Sequence, residues 1–270
     1  VVEFTSPDGP VERNRLARNP QGTLIWTPAH GLTLVYWQGL EQTTISDPSR
    51  VFIRQWKTAT GWLARQRVDH SVAVTGESLG GRIPSIILDS NQELQVFWHD
   101  HRHGSAGAGW NDNQEIFTDR LTSQGLTMNN VRLTDSGSVS NGDNGFNPRA
   151  ALLGDGRIAL AWYDFHWDVD TSEIMLGLSN PDGSWPALPP SMASLRLTTP
   201  TDRAAGDKNQ PFTVPDISAD PNGILHLCWV TGTTGAPASL YTGRYDPEVE
   251  SWITMGLHRS NVSGFFDPPR

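Results

Sequence analysis

Leu94-Gln95-Val96-Phe97-Trp98 and Ile158-Ala159-Leu160-Ala161-Trp162 are the stretches on which the fold turns. Each is a short apolar run that closes on a tryptophan. Runs of this length, without polar alternation, read as strands buried on both faces. Leu32-Thr33-Leu34-Val35-Tyr36-Trp37 and Leu225-His226-Leu227-Cys228-Trp229 end the same way. The four tryptophans recur at intervals of roughly 65 residues, which marks an internal repeat. Residues two apart on a strand share a face, so Val35, Val96, Leu160 and Leu227 lie beside their tryptophans.

Working outward, each run follows a tight turn: Ala29-His30-Gly31, Ser90-Asn91-Gln92, Gly154-Asp155-Gly156 and Asp220-Pro221-Asn222-Gly223. These are hairpin signals. Ahead of the turns lie further strands at 23–26, 83–88, 150–153 and 214–218. After each tryptophan comes a polar loop, then a third strand at 51–55, 115–119, 173–178 and 239–244. Fourth strands follow, two of them reading Val131-Arg132-Leu133-Thr134 and Leu195-Arg196-Leu197-Thr198. Four antiparallel strands per repeat predict an all-β fold, a β-propeller of four-stranded blades. The blades span about 15–70, 71–135, 136–200 and 201–258 of a single domain. Residues 1–14 read as the outer strands of a further blade. Ring closure by a partner chain or an oligomer is left open.

Several motifs in this frame resemble those of the sialidase-like propellers. Ser179-Asn180-Pro181-Asp182-Gly183-Ser184-Trp185 is similar to a shortened Asp-box, the turn that joins third and fourth strands in that family. Thr5-Ser6-Pro7-Asp8-Gly9 is a second partial copy. Gly81-Arg82-Ile83-Pro84 resembles the Arg-Ile-Pro motif that opens the family's first catalytic blade. The resemblance implies a secreted or cell-surface glycoside hydrolase acting on an acidic glycan. It also implies an acid/base at Asp112, with Asp100 the second choice. A late Tyr and Glu nucleophile pair of the family has no clear counterpart here.

Bulk composition narrows the field. The net charge is −9, and no basic run suits nucleic acid. No apolar stretch reaches the ~20 residues of a membrane helix. Gly (26) and Pro (19) supply many turns, and 11 tryptophans can fill cores or stack on sugar faces. The one cysteine, Cys228, excludes an internal disulfide and reads as an inert buried thiol. Asn261-Val262-Ser263 matches a glycosylation acceptor.

The short turns fall at one end of the repeats and the long polar loops at the other, so the long-loop end is the expected working face. The loop from His99 to Asp112 and the loop from Tyr163 to Asp170 carry its chemistry. Three readings compete. Glycoside hydrolysis would use Asp112 or Asp100, or Tyr163 as nucleophile with Asp164 beside it. Arg82, Arg102 and Arg149 would then cluster on an acidic sugar, with His101 also in contact. Glycan binding without catalysis, or a protein-interaction role, would rest on Trp110, Trp167 and Tyr163 as platforms. No cofactor is required, although His99, His101 and His103 alternate as zinc ligands can. His166, Asp168 and Asp170 alternate in the same way, and Asp168-Val169-Asp170 or Asn141-Gly142-Asp143-Asn144-Gly145 could instead offer calcium-type oxygens. The competing explanation for Asp100 and Asp164 is that they hydrogen-bond local backbone.

Overall fold

The computed structural model describes residues 22–39, 49–70, 81–100, 102, 114–134, 145–165, 172–186, 196–202, 212–231 and 238–262. These form four antiparallel sheets that pack side by side in chain order. The first holds β1 (Gly22–Thr27), β2 (Gly31–Gly39) and β3 (Ser49–Lys57), with β4 (Gly61–Trp62) and β5 (Gln66–Arg67) both on β3. The second holds β6 (Gly81–Leu88), β7 (Leu94–Asp100) and β8 (Glu115–Thr122), with β9 (Gly125–Leu126) and β10 (Val131–Arg132) on β8. The third has β11 (Gly145–Leu152), β12 (Ile158–Asp164) and β13 (Glu173–Leu178). The fourth has β14 (Phe212–Ala219), β15 (Leu225–Thr231), β16 (Ala238–Asp246) and β17 (Ser251–Val262). A single 3-10 turn, Pro200–Asp202, is the only helical element among the described residues. No helix is long and apolar enough to cross a membrane. Residues 1–14 lie outside the described residues.

The expected strands are present, and the polar loops begin later than the sequence suggested. His99 and Asp100 belong to β7, and Tyr163 and Asp164 to β12. Ladder pairs Asp100–Glu115 and Asp164–Glu173 hold these ends in their sheets. The fourth strand of the third sheet shrinks to one bridge, Met175–Arg196. Side chains there replace the ladder. The Thr198 hydroxyl accepts from Ile174 N–H at 2.9 Å and donates to Glu173 at 2.7 Å, and Arg196 Nη2 donates to Glu173 at 3.2 Å. The second sheet repeats this cluster. Ile116 N–H donates to Thr134 Oγ1 at 2.9 Å, and both Thr134 and Arg132 donate to the buried Glu115.

The core is divided among the gaps between sheets. Val35, Val51, Val96 and Trp98 fill the first gap. Phe97, Ile116, Leu160 and Trp162 fill the second, and Ala161, Ile174, Leu227 and Trp229 the third. Trp98, Trp162 and Trp229 therefore play one role in successive sheets. Burying each indole removes on the order of 200 Å² from water, worth about 5 kcal/mol. Trp185 of the Asp-box-like turn meets Phe97 edge-on at 5.7 Å, across the second gap. Asp182 of that turn accepts from Ser184 N–H at 2.8 Å and stays on the surface.

At the short-turn rim, polar bonds join neighbouring sheets. His30 Nε2 contacts Gln92 O at 3.1 Å. Ser90 Oγ donates to Pro181 O at 3.1 Å, Asn91 Nδ2 donates to Asp182 O at 3.2 Å, and Arg157 pairs with Glu248. Ser90, Gly154–Gly156 and Pro221 surround a depression of about 550 Å³ there. The sheets form an open arc: among the described residues no substantial strand contact joins the fourth sheet to the first. Cys228 lies on the outer face of the fourth sheet and is half-buried, more open than its apolar run implied. Desolvation still raises its thiol pKa, which keeps it protonated.

Candidate functional site

The innermost strands share a device that positions the site. β6, β11 and β14 each slip register next to a proline: between Arg82 and Ser85, between Phe146 and Arg149, and between Thr213 and Asp216. Pro84, Pro148 and Pro215 stand at equal distances ahead of Trp98, Trp162 and Trp229. Proline has no N–H to give a ladder, so it is tolerated at a bulge. Ile83 (φ 47°) and Asn147 (φ 52°), each just before a proline, take left-handed backbone that ordinary side chains avoid. Strain of this kind persists only where surrounding packing enforces it. The bulges turn side chains out of the ladder at the long-loop end of the axis.

Six described side chains stand at this end of the strands. Arg82 is the ladder partner of His99, is buried, and lies with its guanidinium 5.7 Å from the Trp37 ring. Desolvation lowers its pKa to about 10, so it remains a cation at neutral pH. His99 Nδ1 accepts from Asn147 N–H at 3.4 Å, which leaves Nε2 as the N–H of a neutral ring. The His99 ring meets Phe146 at 5.5 Å. Phe146 stacks on Tyr163 at 5.0 Å and 10°, and Phe165 closes on both rings at 5.9 Å. Asn147 is buried, and its side-chain oxygen has no hydrogen-bond partner among the described residues. A cation, an imidazole, an open amide acceptor and an aromatic wall from four strands make a small polar site with a flat apolar side.

The other described candidates have partners of their own. Asp100 is fully buried and accepts from Trp98 Nε1 at 3.1 Å, Arg102 N–H at 2.9 Å and Arg102 Nη2 at 2.6 Å. Arg102 also reaches Asn130 and lies 4.1 Å from the Phe117 ring, on the side turned to the first sheet. Arg149 donates to Pro148 O at 3.1 Å and is drawn toward Asp216 of the fourth sheet, with its pKa lowered by burial. Asp164 is buried and accepts from Trp162 Nε1 at 3.4 Å. Neighbours on a strand point to opposite faces, so Asp164 stands with Trp162 and away from Tyr163. Burial raises the Tyr163 pKa, which opposes a nucleophilic role. Among the described residues no three metal-ligating side chains come together. His101, His103, Trp110, Asp112, Asp143, Trp167, Asp168 and Asp170 lie outside the described residues.

Sequence reasoning missed Phe146 and Asn147, and took His99 only as a metal ligand. The recurring proline ahead of each tryptophan was the available signal. A second missed pattern is Trp-x-Asp. Trp98-His99-Asp100 and Trp162-Tyr163-Asp164 pair an indole N–H with a carboxylate two residues on. The first and fourth sheets carry Gly39 and Thr231 there.

Below Asp100, Asp69 ties the first sheet to the second. It accepts from Arg67 Nε and from Gly81 N–H, each at 2.9 Å. Desolvation outweighs both bonds and pushes its pKa up to about 6. A folded value above the ordinary 3.9 means that the folded state holds the proton more tightly. Its contribution is therefore full below about pH 4 and is lost as pH rises through 6. Stability should fall by about 2–3 kcal/mol across that window from this group. Denaturant titrations from pH 4 to 7 should show this slope, and Asp69→Asn should flatten it.

No family model matches the sequence, and no curated protein matches it. Solved structures do. A protein of unknown function from Dyadobacter fermentans aligns over 89% of this chain and 69% of its own, with TM-score 0.57 and 10% identity. A Hadza microbial sialidase aligns over 92% of this chain and 48% of its own, with TM-score 0.53 and 11% identity. The GH93 alpha-L-arabinofuranosidase of Fusarium graminearum, solved with arabinobiose, aligns over 88% and 66%, with TM-score 0.55 and 10% identity. The fold is that of β-propellers. The four sheets stack in the manner of propeller blades, and the site lies at the end of the arc opposite the short turns. The chain spans about half the length of the sialidase and about two thirds of the other two proteins.

Proposed function

We propose that this chain is a carbohydrate-handling propeller that takes an acidic glycan at the long-loop end of its axis. Arg82 carries the reading. A buried guanidinium over the Trp37 ring, on the ladder partner of His99 that leads to the Phe146–Tyr163 stack, suits a sugar that presents a carboxylate and an apolar ring face. Asn147 Oδ1 offers the acceptor that a sugar hydroxyl needs. The reaction we assign is sialidase-like hydrolysis, with Asp112 as the acid/base. In sequence, Asp112 lies between β7, which ends at Asp100, and β8, which begins at Glu115. The likeness in fold to a sialidase and an arabinofuranosidase supports a hydrolase. A secreted or cell-surface location goes with such a substrate.

One observation favours binding without hydrolysis. Asp100 and Asp164 are both buried and engaged by indole N–H groups, so neither is placed as one of two carboxyl groups flanking a glycosidic bond. Binding and hydrolysis over a panel of acidic and neutral glycans separate the readings. Arg82→Ala should weaken acidic-glycan binding by roughly 10- to 100-fold, the size of a lost charged hydrogen bond. Asp112→Ala should abolish hydrolysis and spare binding. Equal affinity for acidic and neutral glycans would remove the acidic-sugar assignment. Hydrolysis that survives Asp112→Ala would remove the acid/base.

A further inference from the structure

The position ahead of the bulge proline recurs in three innermost strands. Ile83 precedes Pro84 in β6, Asn147 precedes Pro148 in β11, and Val214 precedes Pro215 in β14. Of the three, Asn147 alone has a polar side chain. Asparagine is favoured in left-handed backbone, and Asn147 stands at φ 52°. That preference does not account for the amide, because Ile83 holds φ 47° at the equivalent place with an aliphatic side chain. Asn147 is 6% exposed, and its Oδ1 has no hydrogen-bond partner among the described residues. A buried acceptor left open lowers stability, and such departures from good packing collect at functional positions.

The surroundings of the amide say what it is open for. The Asn147 backbone N–H donates to His99 Nδ1 at 3.4 Å, and His99 is the ladder partner of Arg82. Arg82, His99 and Asn147 are therefore linked in turn across β6, β7 and β11. Polarity reverses along that line: a guanidinium only donates, and an amide oxygen only accepts. A carboxylate at Arg82 gains charged hydrogen bonds. The same carboxylate at Asn147 Oδ1 would set acceptor against acceptor, with no proton between them. Phe146, next to Asn147 in the chain, stacks on Tyr163 and adds a flat apolar face at the accepting end.

We propose that Asn147 is a specificity-determining residue that decides which way round an acidic sugar lies. The carboxylate goes to Arg82, and a ring hydroxyl donates to Asn147 Oδ1. A sugar that lacks this hydroxyl strands the buried acceptor and is rejected, whatever its charge. The inference rests on the acidic-glycan reading and adds to it a selection among acidic sugars.

Titration calorimetry tests this with the methyl glycosides of N-acetylneuraminic acid and glucuronic acid, each alongside its monodeoxy analogues. The parent protein should bind at least one monodeoxy analogue roughly 10- to 100-fold more weakly than the complete sugar. Asn147→Gly keeps the left-handed backbone and removes the amide. It should erase the discrimination at that one hydroxyl and leave any other unchanged. Its melting temperature should equal or exceed the parent's, because an unpaired buried acceptor is gone. Equal affinity of the parent for every monodeoxy analogue would overturn the inference. The same discrimination in Asn147→Gly, with a lowered melting temperature, would also overturn it and make the amide a structural group. Either result leaves the acidic-glycan reading standing where Arg82→Ala still removes the preference for acidic over neutral sugars. No binding of either acidic glycoside by the parent would overturn both.

Discussion

Replacing Trp98 by alanine is expected to destabilise the protein by about 3–5 kcal/mol, the range for truncating a fully buried large aromatic side chain. The indole is fully buried, stacks on Phe117 with ring centroids 6.1 Å apart, and packs with Val35, Val51 and Val96 between the first two sheets. The backbone cannot close the void from the other side. Gly81 lies against the Trp98 ring, and a Cβ at that position would run into the indole and into Val51. The loss also strips one donor from Asp100. Denaturant unfolding should show the midpoint falling with little change in slope. Trp98→Phe should cost less, because it keeps most of the apolar area and loses only the N–H. A shift below about 1 kcal/mol for Trp98→Ala would mean that the first gap is not packed as described.

Asp100→Ala is expected to cost a similar amount, about 3–5 kcal/mol, for an electrostatic reason. The carboxylate is the counter-charge of Arg102, whose side chain is only 9% exposed. Removing one partner of a buried pair strands the other charge away from water. Asp100→Asn should cost less, since an amide oxygen still accepts from the indole. The Trp98 and Asp100 effects should be non-additive, because one bond is counted in both. The same variants distinguish support from catalysis. A supporting Asp100 predicts that Asp100→Asn, kept below its lowered melting point, binds glycan like the parent. A stable Asp100→Asn with normal binding and no turnover would instead make Asp100 a catalytic group.

Much of the fold was legible because the strands are buried on both faces. Runs such as Ile158–Trp162 can be apolar throughout, and the closing tryptophans then stand out as a repeat. The weakest reading was where strands end. Asp100 and Asp164 look like loop residues by composition, yet a carboxylate can finish a buried strand when an indole two residues earlier donates to it. The fourth strand of the third sheet was overread for a related reason: Thr198 and Arg196 satisfy the edge of β13 through side chains and need no ladder. The site was only half visible. Arg82 and Tyr163 announce themselves by type. Asn147 matters through a left-handed backbone before proline, and His99 through a neighbour 48 positions along the chain. Neither property shows in local composition. Arg102 and Arg149 share Arg82's chemistry, and only their partners, Asp100 for the one and Pro148 O for the other, tell them apart.

The bonds between Ser90 and Pro181, Asn91 and Asp182, and Arg157 and Glu248 all lie at one edge of the described sheets, while the candidate site lies at the other. Hinge and mouth are in that sense separate parts, as in a hand fan pinned at its base. Loop exchange at the open edge leaves the pins in place. New specificities can therefore be grafted there without renegotiating how neighbouring sheets are held together.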